Sequence, residues 1–188
     1  MPFKESSQFE TIEKKETLGH QIEYKVGEFI GGSFDCIEKI EITKNNGVND
    51  KKGVDLIVIF EDGSKMAIDV TVDEGIVIKK KIESMARNPM VSIAEEKDNN
   101  GKLLIEKTKS SAPRGIIHVR QDEWAGYNIE KINDEVIVYM PDKIRIIEER
   151  NIIKQLISQI SLISKESDDY KKKTESIKNM LEEELQEL

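Results

Sequence analysis

An α/β fold, a mixed central β-sheet flanked by helices with a long helical segment at the C-terminus, is predicted by three observations. Leu18, Ile22, Val26 and Ile30 recur at four-residue spacing, the stripe of a helix that faces a core. Residues 54–60 and 65–72 are two apolar runs joined by Glu61-Asp62-Gly63, the pattern of a β-hairpin. From Lys143 onward there is neither Gly nor Pro, and Ile153, Leu156, Ile160 and Ile163 repeat at three-to-four-residue spacing.

The elements follow in order. Residues 1–17 are polar and read as a helix with a frayed start. The helix over 18–30 is closed by Gly31-Gly32, and 33–42 reads as a strand followed by a polar loop over 43–53. After the hairpin, Asp73-Glu74-Gly75 breaks the chain. Residues 76–87 then fit a helix that carries Lys79, Lys80 and Lys81 and ends at Asn88-Pro89. Residues 115–119 are a short apolar strand introduced by Pro113, and 135–140 another, stopped by Pro141. The organisation expected is a domain over 1–142 and a helical tail over 143–188. The tail is one long helix, or two with a bend near residues 164–169. Self-association of its first half as a coiled coil is the preferred reading. The alternative is that 144–163 packs on the sheet while the charged remainder projects into solvent.

The hairpin fixes a register. Gly63 supplies the left-handed residue that a three-residue loop needs, so Phe60 faces Ser64 and Asp55 faces Asp69. This pairing gathers Val54, Leu56, Val58 and Phe60 with Met66, Ile68, Val70 and Val72 on one face, whereas a slip by one residue would mix the faces. Asp55, Ile57, Ile59, Lys65, Ala67, Asp69 and Thr71 then share the other face. Like charges directly opposite are destabilising, so the two carboxylates call for a divalent cation with hard oxygen ligands, protonation of one of them, or an outward splay of the strand ends.

Gly53-Val54-Asp55 at the start of one strand, a tight turn, and Ile68-Asp69-Val70-Thr71 at the end of the next resemble the metal-binding hairpin of the PD-(D/E)-x-K nuclease superfamily, whose fold is restriction-endonuclease-like. The resemblance covers roughly residues 12–140 and is concentrated in 53–71. It implies that Asp55 and Asp69 are magnesium (or manganese) ligands and catalytic residues, and that Glu23 on the preceding helix, or else Glu28, is a further ligand. The superfamily's lysine, two residues after the second acid, is Thr71 here. Some members carry that lysine on the following helix, where Lys79, Lys80 and Lys81 lie at the right distance and Lys79 or Lys80 is the expected substitute. The implied activity is metal-dependent hydrolysis of DNA phosphodiester bonds. The alternative is a nuclease-fold module that does not cut and serves in nucleic-acid binding or in assembly through the C-terminal helix.

Composition bounds the partners. In 188 residues, Asp+Glu number 37 against Lys+Arg 29, a formal charge of −8, so the molecule as a whole does not attract nucleic acid and any binding must come from local clusters. Such clusters lie at Lys79–Lys81, at Lys102, Lys107 and Lys109, and at Arg114, His118 and Arg120; Lys81, Arg114, His118 and Arg120 are the expected contacts to DNA. The single Cys36 excludes a disulfide within the chain. With no apolar run long enough for a membrane span and a polar, charged N-terminus, a cytoplasmic protein is expected.

Other motifs carry less. His20 and His118 have no partner at zinc spacing, and Ser110-Ser111 near His118 lacks a nucleophile elbow. Gly31-Gly32 is not a phosphate loop. Trp124 and Tyr127 read as a loop anchored by a half-buried Trp rather than as a base-stacking platform.

Overall fold

The computed structural model describes residues 18–43, 47–94, 96–99, 102–105, 110–132 and 135–188. The helix expected over 1–17 lies outside them. The chain runs α1 (Leu18–Ser33), β1 (Ile37–Ile42), a 3₁₀ turn (Asp50–Lys52), β2 (Leu56–Phe60), β3 (Lys65–Thr71), α2 (Ile76–Arg87) and β4 (Met90–Ile93). It continues through β5 (Glu96–Asn99), β6 (Lys102–Ile105), β7 (Ser110–His118), α3 (Gln121–Gly126), β8 (Asn128–Ile132), β9 (Glu135–Tyr139), α4 (Asp142–Ile163) and α5 (Asp168–Glu187). Five strands form one mixed sheet in the order β1-β2-β3-β7-β4, parallel only between β3 and β7; β5-β6 and β8-β9 are separate two-stranded ribbons.

Helix α1 runs through Gly31 and Gly32 instead of ending at them. Gly31 and Gly27 let the sheet approach the helix: a Cβ on Gly31 would stand 3.2 Å from Ile40 Cγ1, and one on Gly27 3.0 Å from Leu56 Cδ2. The expected strand over 33–42 therefore shortens to Ile37–Ile42.

The hairpin has the predicted register, with Leu56 opposite Ile68 and Val58 opposite Met66. Gly63 has φ 78°, and Phe60 N donates to Ser64 O at 2.9 Å, closing the Glu61-Asp62-Gly63 loop. Leu56, Val58, Phe60, Met66, Ile68 and Val70 lie in the main core as expected. Val54 does not. The ladder turns irregular at Asp55, whose N–H donates to Ile68 O at 2.9 Å while its carboxylate, in place of a backbone carbonyl, takes the Val70 N–H at 2.7 Å. That reorientation turns Val54 to the opposite face, where it joins Ile57, Ala67, Ile93 and Ala112 in a second apolar cluster.

The C-terminal segment is two helices with a turn between them, and neither projects as a tail. Ile152, Ile153, Leu156, Ile160 and Ile163 of α4 and Tyr170, Ile177 and Leu181 of α5 belong to the same core as Leu56, Ile68 and Ile117. The apolar seam of these helices covers the chain's own sheet, as the alternative reading of 144–163 has it. Ser167 caps α5, its hydroxyl accepting from Tyr170 N at 3.3 Å.

The helices also replace a missing strand. β4 pairs only with residues 110–113 of β7, which leaves the rest of that edge open. Gln159 accepts from Ile116 N (2.8 Å) and donates to Ile116 O (2.7 Å), Gln155 does the same for His118 (2.8 and 3.0 Å), and the Tyr170 hydroxyl donates to Arg114 O at 3.0 Å. Each such group left unpaired in the interior would cost about 1–3 kcal/mol. Gly115 lets α4 approach: a Cβ there would lie 3.2 Å from Leu156 Cδ2.

Trp124 is wholly buried, edge-on to Phe29 (5.4 Å) and Tyr127 (5.6 Å), so it is a core residue on a short helix and not a half-exposed loop anchor. Lys25 fastens that helix to α1 by donating to Trp124 O (3.0 Å) and Ala125 O (3.1 Å).

Candidate metal centre

Asp55 immediately precedes β2 and Asp69 lies near the end of β3, and the Asp69 charge reaches the Asp55 carboxyl. Burial, reinforced by the nearby Glu23 and Asp69 carboxylates, raises the Asp55 carboxyl to about 7 in spite of the Val70 N–H that it accepts. Burial also raises Asp69, against the opposing pull of Lys81 and Arg114. Glu23 projects from α1 and accepts from His20 Nδ1 at 2.8 Å. That bond raises the His20 pKa and gives His20 a structural role beside the site.

The third group is Lys81. Its Nζ donates to the Thr71 hydroxyl at 3.0 Å and stands 3.4 Å from Asp69 Oδ1 and 3.3 Å from Asp73 Oδ2. Thr71 in turn donates to Asp73 Oδ2 (2.9 Å) and accepts from Asp73 N (3.2 Å). A lysine from α2 thus stands on the Thr71 hydroxyl and beside Asp69. Lys79 and Lys80, expected in that role, are exposed on the outer side of the helix. The helix phase explains the difference. Ile78, Ile82 and Met85 pack on the core, and Lys81 lies three residues after Ile78 and four before Met85, on the same face. Burial pulls the Lys81 pKa down, but Asp69 and Asp73 outweigh it and hold the ammonium above its ordinary value. Asp73 was not singled out from the sequence, although its spacing from Thr71 and Asp69 places all three on one side of an extended chain.

The other basic residues divide. Arg114 donates to Lys52 O at 3.2 Å, and its charge reaches Asp69. His118 lies opposite Thr71 in the parallel β3–β7 pair; its backbone is held by Gln155, and its Nε2 is buried without a hydrogen-bond partner. Arg120 is turned to Asp122 and Glu123, both at 3.0 Å, so its charge is already balanced. Lys107, Lys109 and the side chain of Lys102 lie outside the described residues.

Among the described residues, no group of three or more His, Cys, Asp or Glu side chains is placed to hold a metal ion, so Glu23, Asp55 and Asp69 do not form the three-carboxylate set expected from the sequence. The donor set nevertheless suits magnesium or manganese. Hard oxygens match these ions, and magnesium commonly binds through one or two carboxylates, keeping waters and taking up substrate phosphate oxygens. Burial is the main cause of the raised Asp55 carboxyl, with Glu23 and Asp69 adding to it. None of the helices among the described residues is long and apolar enough to cross a membrane. Compared with protein-family models, with curated proteins and with solved structures, the chain matches none.

Proposed function

We propose that this chain is a metal-dependent nuclease that hydrolyses DNA phosphodiester bonds, built on a divergent PD-(D/E)-x-K, restriction-endonuclease-like sheet. The observation that carries the reading is the placement of Lys81, whose ammonium sits on the Thr71 hydroxyl and beside Asp69. The strand position that lacks its lysine has one restored from the neighbouring helix.

Asp55 and Asp69 would hold magnesium or manganese, with Glu23 at the side. When bound, the metal supplies an activated water and Lewis-acid stabilisation of phosphoryl charge. The chain's own residues do the rest. Thr71 and Asp73 fix the Lys81 side chain, so that its ammonium is already oriented when negative charge develops on a phosphoryl oxygen near Asp69. Arg114 adds positive potential from the neighbouring strand. The test is cleavage of linear, branched and single-stranded DNA with magnesium or manganese by wild type, Asp69→Asn and Lys81→Met; activity retained in Asp69→Asn sinks the assignment.

One observation favours a second reading, a DNA-binding module that does not cut. Lys81 already balances Asp69 and Asp73 without a metal. That reading expects DNA binding with no cleavage of any substrate under either metal.

A further inference from the structure

The first turn of α2 has two large apolar side chains with no core to cover them. Ile76 is 72% exposed and Val77 50%, while Ile78, Ile82 and Met85 of the same helix pack inward. Their position is specific. The turn follows Asp73, which shares the Lys81 ammonium with Asp69, and Val77 lies one helical turn before Lys81 on the same face. The apolar pair therefore sits at the rim of the acid-lysine site.

The charge around it is also specific. Lys79 and Lys80 are exposed on the next turn, and with Arg87 they outnumber Glu83 on this helix, although Glu74 precedes it and the whole chain carries −8. A second copy of this chain is a poor occupant, because two side chains ringed by lysines fall far short of the roughly 800 Å² per partner of a stable interface. A polyanion with an apolar interior fits both features.

We propose that Ile76 and Val77 form a wedge that enters the base stack of DNA beside the scissile phosphodiester, with Lys79 and Lys80 on the flanking phosphates. This rests on the nuclease reading. β-Branched apolar side chains that enter base steps unstack them, and lysines on the backbone provide the salt-dependent part of binding.

The experiment uses full-length protein in metal-free buffer, where nothing is cut, and a DNA duplex with 2-aminopurine at successive positions. Wild type should bind and raise the 2-aminopurine fluorescence severalfold at one or two steps. Ile76→Ser/Val77→Ser, with unchanged thermal unfolding, should bind within about threefold and give no rise, since backbone contacts supply most of the affinity. Lys79→Glu/Lys80→Glu should weaken binding about tenfold or more and reduce the slope of log affinity against log salt by about 2. A wild type that binds without unstacking, or a serine variant that unstacks as well as wild type, overturns the wedge and leaves the nuclease reading standing. A wild type that binds no DNA in this buffer overturns the wedge, while the nuclease reading is tested separately by cleavage with magnesium or manganese. Conversion of a wild-type dimer to monomer by the serine pair would assign these residues to a second copy and also overturn the wedge.

Discussion

Asp55→Asn isolates the electrostatic strain at the centre of the site. The asparagine keeps an oxygen to accept the Val70 N–H and removes only the charge. In the folded protein the carboxyl titrates at about 7 against an ordinary 3.8, chiefly because it is buried and secondarily because Glu23 is close. The folded pKa is the raised one, so the folded state binds the proton more tightly. Below about pH 4 both states are protonated and Asp55 leaves stability unchanged. Between pH 4 and 7 stability falls as pH rises, and above 7 the loss is complete. A gap of about three pH units corresponds to roughly 4 kcal/mol. Because the carboxyl is partly open to water, the expected gain for Asp55→Asn near pH 8.5 is about 2–4 kcal/mol, or on the order of 5–15 °C in melting temperature. At pH 4 the two proteins should melt together. On the proposed reading, in which magnesium binds the folded wild type alone, the metal should narrow the difference at high pH. Thermal unfolding over this pH range, with and without the metal, is the assay. A variant no more stable than wild type at pH 8.5, or a difference that does not vary with pH, refutes the account of Asp55.

Three further outcomes are expected. Lys81→Met should lower the cleavage rate at saturating DNA about 10²-fold or more, while Lys79→Met/Lys80→Met should leave it within about threefold, because only Lys81 reaches the acids; equal losses would remove the distinction drawn between the three lysines. Gln159→Leu leaves both the N–H and the carbonyl of Ile116 unpaired, which should cost about 2–6 kcal/mol in urea unfolding with an unchanged m-value. A change below about 0.5 kcal/mol would mean that the edge of β7 finds other partners. Gly115→Ala places a methyl 2.6 Å from Met66 Cε and 2.9 Å from Ile68 Cδ1, so it should destabilise by about 1–3 kcal/mol. A neutral result there would show that the Met66 and Ile68 side-chain ends give way without loss.

How much of this was legible depended on whether a pattern named its own partner. The hairpin did: Gly63 fixed the loop, and the period-two alternation fixed the register that sets Leu56 opposite Ile68 and Val58 opposite Met66. Val54 was misplaced because the irregularity at Asp55 depends on a side-chain bond to Val70 that no periodicity reveals. Lys81 was recoverable in principle. The stripe of Ile78, Ile82 and Met85 selects it over Lys79 and Lys80, whereas sequence distance alone does not. The C-terminal seam was visible, yet an apolar stripe looks the same whether it covers a second chain or its own sheet, and α4 and α5 do the latter. The paired glutamines at 155 and 159 gave no signal, because their value lies in an edge of β7 that only the fold leaves open. Strand β4 and helix α3 escaped notice because four and six residues are too few for a period to emerge.

The most direct test of the central claim is calorimetric titration of the wild-type protein with magnesium or manganese, set beside Asp69→Ala, with DNA cleavage followed on the same samples. The account predicts metal binding that is lost in the variant and cleavage that requires the metal. Failure of the wild-type protein to bind either ion would contradict it and leave Asp55 and Asp69 as carboxylates whose charge Lys81 and a proton already answer.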